Sequence, residues 1–122
     1  MRRLLAVALA AFALAPASAL ASSSPEIRIA TFNVSLNRAV EGRLVDHLSH
    51  PEVTDVFRAQ ARNVAEVVQR TRPDVLLINE FDYAPEAMDL FRDNFLAVSQ
   101  NGARPIDYPY ARGAFQHRPA PG

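Results

Sequence analysis

Apolar positions recur with two different periods along this chain, and the switches between them mark out elements. In the stretch IRIATFNV, residues 27–34, Ile27, Ile29 and Thr31 alternate with Ala30, Phe32 and Val34. Apolar groups therefore fall on both faces, which predicts a central strand covered on both sides. The next stretch, SLNRAVEGRLVDHLSHPEV, is polar and broken by Gly42 and Pro51, with room for a short helix around Leu44 to Leu48. The period then lengthens. Over residues 54–74, Phe57, Ala61, Val64 and Val68 form a helical stripe that Ala65 and Val67 broaden. Thr54 or Asp55 can cap its start, Arg70 and Arg72 suit the negative end of its dipole, and Pro73 stops it. A second strand follows from Val75 to Glu80. Strand, helix and strand in about 50 residues make a βαβ unit, whose strands are parallel and whose crossover is right-handed in nearly all cases. A further helix is predicted from Pro85, a favoured first-turn residue, with Met88, Phe91 and Phe95 as its apolar face. Residues 104–122 carry four prolines and no sustained period, so they read as loop or tail. There are no internal repeats.

The ends of the 122-residue chain change how much of it counts as a domain. Arg2 and Arg3 precede an apolar run from Leu4 to Ala15, and PASALASSS follows with small-x-small sites ending at Ala19 and Ala21. This is the pattern of a secretory signal peptide, residues 1–21, removed near Ala19 or Ala21 on export to the periplasm or medium. The run is too short for a membrane span of about 20 apolar residues, so no span is expected in the mature chain. A polar linker, residues 22–26, leads into the α/β portion at 27–110, and 111–122 is an irregular tail. The mature chain of about 100 residues has a core that is marginal for its length.

Charge and cysteine content narrow the classes. Removing Arg2 and Arg3 leaves 11 basic side chains against 13 acidic ones, which gives no general attraction to nucleic acid. All basic residues are Arg, a composition bias rather than a site. With no Cys there is neither a disulfide framework nor a thiolate metal site. Nothing in the sequence sets an oligomeric state.

Candidate chemistry lies where the strands end. In open α/β sheets ligands bind beyond the carboxyl ends of the strands. The first predicted strand ends at Asn33 and the second at Glu80, so parallel neighbours would bring an amide and a carboxylate to the same edge. Glu80 is a hard oxygen ligand of the type that takes Mg²⁺ or Ca²⁺. Its plain alternative is an exposed strand-end acid paired with Arg28 or Arg112, and that of Asn33 is a turn residue. Asp82 sits just before the helix at Pro85, which favours a capping or turn role over ligation. Tyr83 can pack under the site or face solvent. His47 and His50 could share a metal, though a solvated loop is the better account of them. Asn63 belongs to the helix surface, within possible reach of the sheet edge.

The two strands together carry a family likeness. Thr31-Phe32-Asn33-Val34, followed by a helix and then RPDVLLINEFDY with Ile78-Asn79-Glu80, resembles the start of the endonuclease/exonuclease/phosphatase superfamily, over residues 27–83 and more weakly to Tyr110. The resemblance implies the N-terminal half of a four-layer α/β sandwich, two β-sheets flanked by helices, present here as a βαβ unit plus one further helix. It implies metal-dependent hydrolysis of a phosphoester of unknown class. Glu80 is then the ligand of Mg²⁺ or another divalent cation, and Asn33 the catalytic residue that orients the metal-bound water or the substrate phosphate.

That family completes its site with a later His, later Asp residues and an Asp-x-Asn motif, and its domain is about twice this length or more. These are not found here, and ARGAFQHRPAPG departs from the family pattern. His117, the one His of that tail, has no Asp-His context to make it a base. The expectation is an inactive N-terminal portion of an exported hydrolase. The alternative is a non-catalytic exported α/β module that binds a partner or a metal across its open edge and uncovered apolar faces.

Overall fold

The computed structural model describes residues 24–113. The proposed signal peptide and residues 114–122 of the tail, His117 among them, lie outside them. The elements run β1 (Ile29–Leu36), α1 (Arg43–Ser49), α2 (Val56–Thr71), β2 (Val75–Phe81) and α3 (Pro85–Phe91), which continues as a π-helical turn, Arg92–Leu96. The fold is α/β. β1 and β2 pair in parallel, with Ile29 opposite Val75, Thr31 opposite Leu77 and Asn33 opposite Asn79.

Local chemistry explains the boundaries. Asp55, not Thr54, caps α2: its side chain accepts from the Arg58 N–H at 2.8 Å and also pairs with the buried Arg58 guanidinium. At the other end Arg72 turns left-handed, φ 50°, and its N–H closes on the Val68 carbonyl. Pro73 cannot continue the helix. The start of the sheet is pinned by Asp74, whose carboxylate accepts from the Arg28 N–H at 2.8 Å. α3 begins at Pro85 as the sequence predicts, but its N-cap is Ala84 with no side-chain cap. Asp82 is therefore not a helix cap, but it does make the turn into α3, its carbonyl accepting from the Ala84 N–H at 3.0 Å. Its carboxylate instead accepts the Arg38 N–H, 2.9 Å away, from the loop that follows β1.

The core lies on one face of the sheet. Val34 and Leu36 from β1 meet Leu44 and Leu48 of α1, Ala61, Val64, Ala65 and Val68 of α2, and Phe91 and Phe95 beyond β2. Phe32, Leu76, Ile78 and Phe81 pack against this cluster. Every member of the predicted α2 stripe except Phe57 and Val67 is buried. The other face of the sheet is uncovered among the described residues: Ile27 is 67%, Ile29 73%, Val75 52% and Leu77 60% exposed. This corrects the expectation of a strand covered on both sides. All three described helices pack on one face, so among the described residues the second apolar row has nothing against it. No four-layer arrangement is present among the described residues. No helix among them is long and apolar enough to cross a membrane.

Residues 104–113 are irregular, as the prolines predict, yet they are tied down. Ile106 is buried, and the Tyr108 hydroxyl donates to the Pro73 carbonyl at 2.7 Å. Burial raises the Tyr108 pKa.

Candidate functional site at the carboxyl ends of the strands

Strict alternation along β2 would send Glu80 to the helix-covered face, with Leu76 and Ile78. The strand does not keep alternation. Exposure runs exposed, intermediate, exposed, intermediate, then exposed at both Asn79 and Glu80 before Phe81 turns inward. Glu80 has φ 54°, in the left-handed region, and the pairing slips here, three steps on β1 between Asn33 and Leu36 matching two on β2 between Asn79 and Phe81. The irregularity adds Glu80 to the open face, where the outward residues of β1 already lie. A second left-handed residue, Ser35 with φ 50°, stands across from it.

The site residues then meet. The Asn33 amide Nδ2 donates to Glu80 Oε1 at 2.7 Å. Ser35 Oγ lies 3.2 Å from Glu80 Oε2 and donates to it. The Ser35 N–H returns to Asn33 Oδ1 at 3.2 Å. One residue upstream, Asn79 Nδ2 donates to Thr31 Oγ1 at 3.0 Å, a second polar rung between the strands. Both residues predicted for the site are thus brought together, 47 positions apart in sequence. Arg28, offered as a partner for Glu80, is engaged elsewhere, with its guanidinium on the Thr71 carbonyl.

A brace behind the site was not legible in the sequence. The Arg38 guanidinium donates to His47 Nδ1 at 3.2 Å, to Gln60 Oε1 at 3.1 Å and to the Asn37 and Ser35 carbonyls at 3.1 and 3.4 Å. Gln60 Nε2 donates to that same Ser35 carbonyl at 2.8 Å. Phe57 stacks on the His47 ring at 4.5 Å and lies under the Arg38 guanidinium at 5.1 Å, which accounts for its departure from the core. β1, α1, α2 and the end of β2 are therefore joined at Arg38, through Ser35, His47, Gln60 and Asp82. The participating positions span residues 35 to 82, and no local pattern announces them. Burial is the main cause lowering the pKa of Arg38. His47 is likewise held below its ordinary value, first by burial and then by the charges of Arg38 and Arg58.

His47 and His50 do not form a pair. His47 is buried in the brace, while His50 is exposed beside Glu52 at 3.3 Å. Asn63 is exposed on α2 and lines a shallow depression with Phe32 and Val64.

The donor set at Glu80 has a definite chemical reach. Each carboxylate oxygen takes one hydrogen bond and keeps a lone pair. Among the described residues no group of three or more His, Cys, Asp or Glu is placed to enclose a metal ion. One hard carboxylate with open coordination fits a water-rich Mg²⁺, whose protein share is commonly one or two carboxylates, and does not fit an all-protein cage. No family model matches the chain, and no curated protein or solved structure matches it.

Proposed function

We propose that this chain carries the opening half of an exported, metal-dependent phosphoester hydrolase site of the endonuclease/exonuclease/phosphatase type. The observation that supports this is the 2.7 Å contact of Asn33 with Glu80 near the carboxyl ends of two parallel strands, which run past the predicted ends to Leu36 and Phe81. Glu80 would hold Mg²⁺ or another divalent cation through the free lone pairs of its carboxylate. When bound, the cation would stabilise charge on phosphoryl oxygens and acidify a coordinated water. Asn33 orients the carboxylate with one N–H and keeps a second N–H for a water or a phosphate oxygen. Among the described residues no His hydrogen-bonds to Asn33, Ser35 or Glu80, so the group that would activate water is lacking there. The expected result is therefore Mn²⁺ or Mg²⁺ binding without turnover. The four-layer sandwich belongs to the same proposal, and its support is the open face with Ile29 and Leu77.

Titration of the full chain with Mn²⁺, followed by paramagnetic resonance, tests the reading. Binding that disappears in Glu80→Gln supports it. Binding unchanged by Glu80→Gln sinks it. Hydrolysis of a bis-aryl phosphodiester by the wild-type chain, lost in Glu80→Ala, would overturn the inactive assignment while keeping the site. Export is checked by N-terminal sequencing of secreted material, with a start just after Ala19 or Ala21 expected.

The open sheet face also favours a second reading, a non-catalytic module that docks a partner there. A free-standing module protects the amides of β2 from hydrogen exchange in isolation, whereas a sheet that needs further structure to hold it shows little protection at Leu76 to Ile78.

A further inference from the structure

We infer that Ser35 is a positioning residue of the Asn33–Glu80 site, the link through which the helix layer sets the geometry of the carboxylate. The inference deepens the proposed metal site and rests on it only in the metal arm of its test. Ser35 is one of two left-handed residues that face each other across the ends of β1 and β2, with φ 50° against 54° at Glu80. Non-glycine residues enter this region at a cost, and they persist where the surroundings over-determine them. The surroundings are visible here. The Ser35 carbonyl is gripped from the helix side by Gln60 Nε2 at 2.8 Å and Arg38 Nη1 at 3.4 Å. Its N–H and hydroxyl are turned to the open face, on Asn33 Oδ1 at 3.2 Å and Glu80 Oε2 at 3.2 Å.

The consequence is a fixed polarity. Because the Ser35 N–H donates to Asn33 Oδ1, the Asn33 amide must present Nδ2 to Glu80. Because the hydroxyl hydrogen goes to Glu80 Oε2, the carboxylate is held at both oxygens and cannot swing away. A hydroxyl 3.4 Å from Asn33 Oδ1 as well keeps all three groups within one ring of contacts. Outer partners of this kind fix the orientation of a ligand before anything binds.

The hydroxyl and the backbone can be separated by substitution. Ser35→Gly suits a positive φ and removes only the donor. Ser35→Asn tolerates the same φ and restores an N–H donor. The first readout needs no metal: the Asn33 side-chain amide signals in the nitrogen–proton spectrum of the full chain. We expect them displaced from the free-amide position in wild type, shifted part of the way back in Ser35→Gly, where the residue 35 N–H still reaches Asn33 Oδ1 but Glu80 has lost the hydroxyl on its second oxygen, and restored toward wild type in Ser35→Asn, with the thermal midpoint of Ser35→Gly no lower than wild type. The second readout is Mn²⁺ affinity, expected to fall about tenfold or more in Ser35→Gly, as for lost outer partners of metal ligands. Asn33 signals that are the same in wild type and Ser35→Gly would overturn the inference. If wild type binds no Mn²⁺, the metal reading fails while the amide signals still decide the role of Ser35.

Discussion

Glu80 was recognisable as a residue because it ends an apolar run, and a buried strand has no packing use for a terminal carboxylate; Asn33 was recognisable only through its motif, since β1 continues past it to the buried Val34 and Leu36. What their positions did not reveal was the side of the sheet. Alternation assigns Glu80 to the covered face, and a left-handed φ at that one residue reverses the assignment. Asp82 shows the same limit, since a residue before a helix reads as a cap or turn until the loop that needs its side-chain oxygen is seen. Asp82→Ala leaves the Arg38 N–H without its acceptor and should lower unfolding stability by about 1 kcal/mol, whereas Asp82→Asn keeps an acceptor and should cost less, as read from urea midpoints. His47 makes a pH prediction. Burial and the charges of Arg38 and Arg58 outweigh the opposing pull of Asp55 and Asp46 and hold its folded pKa below the unfolded value of 6.5. The unfolded chain therefore takes up a proton first as pH falls. The stability associated with a neutral His47 is intact above 6.5 and declines below it, levelling once the folded state also protonates. Thermal midpoints should drop from pH 7.5 to 5, and His47→Gln, which can still accept from Arg38, should flatten that drop.

Elements were the most legible scale. The stripe of Ala61, Val64 and Val68 requires a helix, Asp55 and Pro73 bound it, and Pro85 opens the next one. Asp55→Ala should cost about 0.5–2 kcal/mol through loss of the cap. The π-helical turn was not legible, because the spacing of Phe91 and Phe95 suits an α-helix equally well. Its defining contact is the Ala97 N–H on the Arg92 carbonyl, five residues back, at 2.9 Å. The exit from that turn depends on a distant residue. Gln69 of α2, 2% exposed, donates to the Leu96 and Val98 carbonyls at 2.9 and 2.7 Å and accepts from the Gln100 N–H at 3.0 Å. In a helical wheel Gln69 looks like a polar interruption beside Val68. In the fold it satisfies backbone groups that no helix can satisfy for itself. Gln69→Leu keeps the volume and strands those groups, so it should destabilise by about 1–3 kcal/mol, with faster hydrogen exchange at the Gln100 amide as the local check.

At the largest scale the decisive fact is that, among the described residues, three helices gather on one side of a two-stranded sheet. The two faces should then answer mutation differently. Leu36→Ala opens a hole in the packed cluster and should cost about 2–5 kcal/mol. Leu77→Ser on the open face should stay within about 0.5 kcal/mol, and a much larger loss, measured by urea unfolding with the association state followed by sedimentation, would mean that something covers that face in solution. The strand periodicity could not distinguish these faces, because it records apolar side chains on both and not what stands against them. By itself, the sequence determined the βαβ order, the limits of α2 and the start of α3, since each is a matter of local period, capping or proline geometry acting within a few residues; the strands run past the predicted polar ends, to Leu36 and Phe81. Only the tertiary structure decided that Glu80 turns to the open face, that Ser35 holds it there and that Arg38 ties four segments behind it. Those outcomes depend on hydrogen bonds between residues up to 47 positions apart, and on the left-handed turns at Ser35 and Glu80 that go with them.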